Sequence, residues 1–396
     1  MSVKENKVAP RPSGEAGLLP VHSPSTGETP MAHGRVLSID ALRGFDMFWI
    51  AGPDLCHWLV TSVLTLSLGS LPPWLSYQLE HPAWQGFSAW DMIMPLFLFI
   101  VGAAMPFSVQ RRIDAGDGRW SIYGRALRRV AILWLLGMIA QGHLLECNMA
   151  RLKLYSNTLQ AIASGYLIAT VVMVELRSVR SWAAVAGALL VVYWLALSFI
   201  PPPGLAAGLY TPDENLAIWI DRTVLGSTQD GTHYTWILSS LGFGATVLIG
   251  VLAGRVLRTP LAPELRLLIL AGAGVACLLA GWAWSAVMPI IKHLWTSSMV
   301  LWAGGWSLLL LALFYYLIDI RGFRRWTTVF VVIGANAILA YMSQSLLDIR
   351  HLGQFLFGGL CGHFGPGKEA GLALLTYALL WTGLWWLYRQ RIFIRI

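Results

Sequence analysis

Three residues in the first quarter of the chain, Asp54, His81 and Asp91, have side chains suited to proton transfer. An imidazole exchanges protons near neutral pH, and a carboxylate beside it can orient the ring and stabilise its charged form. A histidine with acidic partners is therefore typical of general-base chemistry, in which the histidine removes a proton from an attacking nucleophile. The spacing alone favours a hydrogen-bonded structural turn over catalysis, and both interpretations stay open at this point.

A second polar group lies in the first apolar stretch of the chain. On a helix with 100° per residue, Asp40, Arg43 and Asp54 fall within about 60° of one another. Ionisable groups inside a membrane are costly and face a cavity or a partner, so they are candidates for ligand contact. An Asp40–Arg43 pair that stabilises the start of a helix explains the first two residues as well.

The elements that must position these residues are long apolar helices. Of the 396 residues, 56% are hydrophobic and only 12% are charged, whereas about a quarter of the residues of a soluble domain are charged. This composition excludes a soluble enzyme and a disordered protein, and the unbroken apolar runs exclude a transmembrane β-barrel. A membrane-spanning helix needs roughly 20 mainly apolar residues. About ten segments qualify, namely residues 39–66, 90–109, 126–145, 157–175, 182–200, 235–254, 266–288, 297–318, 328–347 and 370–388.

The basic residues predict the orientation of an all-α polytopic membrane protein. All but six of the 28 Lys and Arg residues lie in the N-terminal region or in alternate loops, so these parts and both termini are expected in the cytoplasm. The net charge of +8 therefore indicates topology, and no nucleic-acid partner is expected. Residues 1–34 are polar and rich in Pro, Ser and Gly, which predicts a disordered cytoplasmic tail before a membrane domain at residues 35–396. Seven of the nine histidines fall on the outer side, which suggests proton chemistry there, although interfacial loops also tolerate His.

Several short motifs, taken together and in order, resemble the heparan-α-glucosaminide N-acetyltransferase family and its bacterial relatives. The motifs are Ser38-Ile-Asp40-Ala-Leu-Arg43-Gly44, His81-Pro-Ala-Trp84-Gln-Gly86, Asp91-Met-Ile-Met-Pro95, Lys292-His-Leu-Trp295-Thr-Ser297-Ser298 and Gly334-Ala-Asn336. The resemblance covers nearly all of the chain from residue 35 onward. It implies transfer of an acetyl group from cytosolic acetyl-CoA to a glucosamine-like amine across the bilayer, in a bacterial inner membrane protein that forms a homodimer.

The resemblance gives roles to individual residues. His81 matches the catalytic histidine of the family, Asp54 stands where the lysosomal enzyme has a catalytic Asn, and Asp91 is the further acidic partner. Residues in the later spans match positions that line the same cavity region; they are Lys292, Trp295, Ser298 and Asn336. Besides Asp54, two positions depart from the family pattern, because Ala161 replaces a basic residue and Ile291 replaces an Asn.

The predicted donor and acceptor contacts combine this resemblance with the charge pattern. Acetyl-CoA is polyanionic, so basic groups near the inner side are candidates for its phosphates. The predicted acetyl-CoA contacts are Asp40, Arg43, Arg128, Arg129, Asn336 and Ser298. The predicted acceptor contacts are Trp84, Trp295 and Lys292, with Trp84 placed to stack on a sugar ring.

Two other classes of function remain open, and a metal is not expected. A transporter for a sugar or amino sugar also fits a polytopic chain, although the two halves show no convincing repeat. A non-catalytic membrane scaffold gives no reason for Asp54, His81 and Asp91 to cluster. The four cysteines lack CxxC spacing, and no His pair with a carboxylate has the spacing of metal ligands.

Overall fold

The computed structural model describes residues 36–50 and 55–394, without the side chains of residues 344 and 345. Within these ranges the chain forms helices and connecting loops and no strand, as the sequence predicts. The predicted tail and Asp54 lie outside the described residues, so the domain boundary at residue 34 and the position of Asp54 stay predictions.

The described residues form fifteen α-helices. The first eight are α1 (Leu37–Ile50), α2 (Leu55–Leu68), α3 (Pro73–Leu79), α4 (Ile93–Asp114), α5 (Arg119–Ala140), α6 (Thr158–Glu175), α7 (Val179–Phe199) and α8 (Leu216–Leu225). The others are α9 (Ser240–Arg258), α10 (Pro263–Trp284), α11 (Ser297–Tyr315), α12 (Thr327–Ala335), α13 (Ala337–Leu346), α14 (Ile349–Cys361) and α15 (Lys368–Arg389).

Seven helical stretches of the described chain are long and apolar enough to cross a membrane. They are Trp90–Asp114, Thr158–Glu175, Val179–Phe199, Ser240–Arg258, Pro263–Trp284, Ser297–Ile320 and Ile349–Arg389. Each overlaps a segment predicted from hydrophobicity. The chain is therefore a helical membrane protein by the length and composition of its helices.

The three other predicted spans also contain helices, but they are not among these seven stretches. The first includes α1 and α2, and residues 51–54 between them lie outside the described residues. Arginines along α5 reduce its hydropathy, and the span near residues 328–347 breaks at Asn336, where α12 ends and α13 begins. The total of ten spans and the orientation of the termini consequently stay predictions.

Glycines allow the central helices to pack at backbone distance. A Cβ atom at Gly102 of α4 would lie 2.0 Å from the carbonyl oxygen of Val247 in α9. One at Gly250 of α9 would lie 2.0 Å from the carbonyl oxygen of Phe99. Such close approach through small residues is the usual packing of membrane helices. It places α4 and α9 at the centre of the fold, whereas α10 has few buried residues and lies at the periphery.

Candidate functional site

The loop that precedes α4 is held in place from two sides. Gly86 has a positive φ of 121°, and its amide donates to the carbonyl oxygen of Ile290 at 3.0 Å. Ser88 and Asp91 bond reciprocally, because the amide of Ser88 donates to Asp91 Oδ2 at 3.2 Å and the amide of Asp91 donates to Ser88 Oγ at 3.3 Å. This arrangement resembles a capping box and fixes the Asp91 carboxylate at the start of the helix.

The structure brings His81 and Asp91 into direct contact. Nδ1 of His81 lies 2.6 Å from Oδ1 of Asp91, and since an ionised carboxylate only accepts, Nδ1 is the donor. The side chain of Asp91 is 3% exposed, whereas that of His81 is 44% exposed. Within the described ranges Nε2 of His81 has no hydrogen-bond partner, so this nitrogen can accept a proton from an incoming group.

Lys292 completes the group of charged side chains. Its Nζ lies 3.1 Å from the same Oδ1 of Asp91 and 3.4 Å from Nδ1 of His81. The lysine side chain is only 9% exposed. Burial lowers the pKa of Lys292 below its ordinary value, and the charge of Asp91 opposes that effect.

A backbone segment between α10 and α11 carries Lys292 into the site. The carbonyl of Ile290 accepts the amide of Gly86, and the carbonyl of His293 accepts the amide of Thr235 at 3.0 Å. The segment is thus bonded on one side to the loop of His81 and on the other to the connection before α9. Three parts of the chain that are distant in sequence meet at Lys292.

An aromatic group defined by Trp84, His293 and Tyr234 adjoins the charged residues. The ring of His293 stacks on Trp84 at 5.2 Å with an interplanar angle of 24°, and lies 4.3 Å from the ring of Tyr234. Burial, with a smaller effect of the Lys292 charge, lowers the pKa of His293 to about 4. His293 is therefore neutral at neutral pH and acts as one layer of an aromatic stack. Nε1 of Trp84 donates to the carbonyl oxygen of Tyr210 at 2.7 Å, which fixes the indole.

Trp295 and Ser298 lie in or next to the Lys292 segment but face other groups. Trp295 is buried with a positive φ of 53°, and its Nε1 donates to Thr246 Oγ1 at 3.1 Å. Ser298 is buried and donates to the carbonyl oxygen of Pro289 at 3.1 Å. Both residues stabilise the connection between α10 and α11, and their predicted contacts with acceptor and acetyl-CoA stay predictions.

The remaining predicted residues are placed by the structure in contacts of their own. Asp40 and Arg43 form an ion pair at 3.6 Å one turn apart on α1. The guanidinium of Arg129 lies over the ring of Tyr166 at 4.5 Å, while Arg128 is exposed. Their predicted contacts with acetyl-CoA stay predictions.

Asn336 is buried at the break between α12 and α13. Its Nδ2 donates to the carbonyl oxygen of Ile392 at 3.1 Å, and its Oδ1 accepts the amide of Ile394 at 3.0 Å. The side-chain amide thus binds a backbone segment through both its donor and its acceptor. Its predicted contact with acetyl-CoA also stays a prediction.

Sequence analysis does not single out Ser88 or Tyr234, and it notes His293 only as one of several outer histidines. The Ser88–Asp91 spacing is a usable signal, because Ser three residues before an acidic residue at a helix start is typical of a capping box. No comparable signal exists for His293 and Tyr234, since their stacking depends on loops that are distant in sequence. Among the described residues no group of three or more His, Cys, Asp or Glu side chains could hold a metal ion.

Two curated proteins are similar to this chain. The heparan-alpha-glucosaminide N-acetyltransferase of Mus musculus is 22% identical over 380 residues, which are 80% of this chain and 56% of that protein. The protein of the same name from Homo sapiens is 24% identical over 383 residues, with the same shares. These similarities support a relationship with that acetyltransferase. The chain spans about half the length of these curated relatives, and no family model matches it.

The arrangement has the parts that general-base catalysis requires. A half-exposed imidazole has one nitrogen bonded to a buried carboxylate and the other free within the described chain. A carboxylate in this position fixes the tautomer and stabilises the imidazolium that forms on proton transfer. The site can therefore accept a proton from a nucleophile that approaches from the open side of His81.

Proposed function

We propose that this chain is a membrane acetyltransferase that moves the acetyl group of acetyl-CoA to the amine of a glucosamine-like acceptor. The observation that carries the proposal is the His81–Asp91 pair, in which a buried carboxylate holds an accessible base. The similarity to the two N-acetyltransferases supports the reaction class. The identity of the acceptor rests on the resemblance alone.

In the proposed step the acceptor amine attacks the thioester carbonyl carbon and forms the carbon–nitrogen bond. Nε2 of His81 takes the proton that the amine loses, while Asp91 stabilises the resulting imidazolium. The carbon–sulfur bond then breaks, and the imidazolium returns the proton to the leaving thiolate. The products are an amide and free CoA, with His81 restored. Direct transfer is proposed; an acetyl-His81 intermediate would instead give ping-pong kinetics.

The acetyl donor is proposed to enter from the cytoplasmic side, where the arginines are concentrated. Arg129 supports this path, because it is the eleventh residue of α5, roughly 15 Å along the helix axis from its start. Its Nε is buried and has no partner in the described chain. An arginine at such depth faces a cavity or a ligand by default. Arg43, Arg128, Asp40, Asn336 and Ser298 complete the proposed contacts with the donor.

The proposed topology has about ten spans with both termini in the cytoplasm of a bacterial cell, and His81 on the outer side. The excess of Arg in alternate loops supports this orientation. It separates donor and acceptor, because acetyl-CoA is cytosolic and the site faces outward. From the resemblance we also propose that the protein forms a homodimer. Trp84 and Trp295 are proposed to contact the acceptor.

The reaction can be tested in inside-out membrane vesicles loaded with glucosamine. Radiolabelled acetyl-CoA is added outside, and N-acetylglucosamine is measured in the lumen. We expect product with the wild-type chain and a loss of at least about a hundredfold with His81→Ala, which is the usual scale of general-base catalysis. The matched control is His143→Ala, since Nδ1 of His143 lies 2.7 Å from Oε1 of Glu146 in an exposed pair.

Each outcome decides between the alternatives. Luminal acetylation that survives His81→Ala contradicts the assigned base. Glucosamine flux without acetylation favours the transporter, and loss of activity with both histidine variants indicates a general effect on folding.

A further inference from the structure

Two nitrogen donors converge on a single carboxylate oxygen at the site. Nδ1 of His81 and Nζ of Lys292 lie 2.6 Å and 3.1 Å from Oδ1 of Asp91. Both donate to this oxygen, so the short distance of 3.4 Å between the two nitrogens is a consequence of their shared acceptor. Lys292 therefore influences His81 through space and through the carboxylate that they share.

The burial of Lys292 limits what else it can contact. Its side chain is 9% exposed and its ammonium is directed to Asp91. This burial leaves little of the ammonium open to an acceptor from outside. The geometry thus assigns Lys292 a partner within the protein and makes it a positioning residue that acts through Asp91.

The charge of Lys292 affects how readily His81 takes a proton. With Asp91 ionised and Lys292 charged, the pair is neutral while His81 is neutral. When His81 takes a proton, its imidazolium is attracted by Asp91 and repelled by the ammonium 3.4 Å away. Without the ammonium, the attraction of the carboxylate for an imidazolium at His81 would be unopposed, which favours the protonated form that cannot act as a base.

We propose that Lys292 balances the charge of Asp91 so that His81 stays neutral, and able to accept a proton, at the working pH. The proposal rests on the proposed function for its catalytic meaning. Its physical content, the protonation of His81, can be measured without any acetyl transfer.

Among the described residues, three other titratable groups lie near this cluster. His293 follows Lys292 in the chain, and burial lowers its pKa to about 4, so it carries no charge at neutral pH. Tyr234, from the connection before α9, stays protonated because burial and the Asp91 charge raise its pKa to about 12. His233 lies against Trp84 with ring centroids 6.2 Å apart and pairs with Asp213 at 3.6 Å.

The test measures the reaction of His81 with diethylpyrocarbonate, which acylates histidine only when the imidazole is neutral. The rate at His81 is followed by mass spectrometry between pH 5 and 9 in the full-length protein. Lys292→Gln should move the midpoint of this rate upward by about 1 to 2 pH units, the usual effect of one charge at this range. The acidic limb of kcat/KM should move in the same direction, while Lys292→Arg should leave both near the wild-type values.

Two further variants keep the test decisive if Lys292→Gln folds poorly. Asp91→Asn should move the midpoint downward, and the double variant Asp91→Asn, Lys292→Gln should move it back upward. The matched control is Lys153→Gln, because Nζ of Lys153 donates to the carbonyl oxygen of Gln229 at 2.6 Å. This control should leave the midpoint unchanged.

The outcomes separate this proposal from the proposed function. A loss of kcat in Lys292→Gln with an unmoved midpoint means that the lysine is only structural, and overturns the proposal. A shifted midpoint in a chain that transfers no acetyl group upholds the charge balance and overturns the acetyltransferase function instead.

Discussion

At the scale of single residues, the two shortest histidine–carboxylate contacts among the described residues differ mainly in burial. His81 and Asp91 are 2.6 Å apart, and His143 and Glu146 are 2.7 Å apart. The carboxylate of Asp91 is 3% exposed, whereas that of Glu146 is 38% exposed. Water screens the second pair, so the same contact is worth much less there. Burial of the carboxylate therefore distinguishes the candidate base from an ordinary surface contact.

Replacing the buried carboxylate of Asp91 should prevent His81 from acting as a base without changing its position. Asp91→Asn keeps the size of the side chain but removes the charge, and its amide can hold His81 in the wrong tautomer. We expect kcat for acetyl transfer to fall by about ten-thousandfold, on the scale known for a catalytic histidine whose aspartate is replaced by asparagine. The KM for acetyl-CoA should change little. Steady-state kinetics of purified protein in detergent checks this.

Glu146→Gln provides the matched control for that substitution. It makes the same chemical change in the exposed pair and should keep kcat within about twofold, since an exposed pair contributes little. Equal kcat values for Asp91→Asn and the wild type would show that the carboxylate has no part in the reaction.

The sequence predicts catalytic roles for His81 and Asp91, but it does not predict their contact with Lys292. The two loop residues are ten positions apart, so local spacing already suggests that they meet. Lys292 is 211 positions from His81 and reaches it only because its segment bonds to the loop of Gly86. Residue types predict which side chains can do chemistry, whereas long-range backbone bonds decide which of them meet.

At the scale of helices, glycine positions set how closely the central helices pack. Gly102 and Gly250 remove the side chains that would hold α4 and α9 apart. The loop of His81 leads directly into α4, so this packing also supports the candidate site. A side chain at either glycine must displace backbone, which well-packed helices resist.

Gly102→Ala should therefore lower the stability of the fold. A Cβ atom 2.0 Å from the Val247 carbonyl oxygen forces the helices apart, at a cost of about 1–3 kcal/mol. The matched control is Gly272→Ala in α10, where a Cβ atom meets nothing within 4 Å. Thermal unfolding in detergent should show a lower midpoint for Gly102→Ala than for the wild type. Gly272→Ala should show no such decrease. Identical midpoints would mean that α4 and α9 separate at no cost.

Hydrophobicity predicts continuous helices better than it predicts interrupted ones. Seven predicted spans coincide with continuous apolar helices, because a run of about 20 apolar residues is a direct signal. The break at Asn336 has only a weak signal, since no Pro is near it and Gly334 two residues earlier lies within the helical part of α12. It depends on the bonds between the Asn336 amide and the backbone near Ile392.

At the scale of the whole molecule, the predicted orientation can be checked with the native cysteines. Cys147 is exposed in the connection between α5 and α6, whereas Cys56 and Cys361 are buried and Cys277 is partly buried. The positive-inside rule places this connection outside the cytoplasm. A reagent that does not cross membranes should therefore reach Cys147 only from the outer side.

Labelling of intact cells with a membrane-impermeant maleimide should modify the chain, and Cys147→Ser should abolish the modification. Adding Ser178→Cys to Cys147→Ser places a thiol between α6 and α7, on the side predicted to be cytoplasmic. That variant should react only in inside-out vesicles. The opposite pattern would reverse the topology and place His81 on the same side as acetyl-CoA.

One connection supports both parts of the site, which bears on how such a protein can diversify. Trp84 lies on the loop of the base, and its indole is held by Tyr210 in the long connection between α7 and α9. Near the other end of the same connection, the amide of Thr235 donates to the carbonyl oxygen of His293 beside Lys292. A change in this connection therefore alters the surroundings of Trp84 and the support of Lys292 together. If Trp84 contacts the acceptor as proposed, acceptor preference and proton transfer should change jointly.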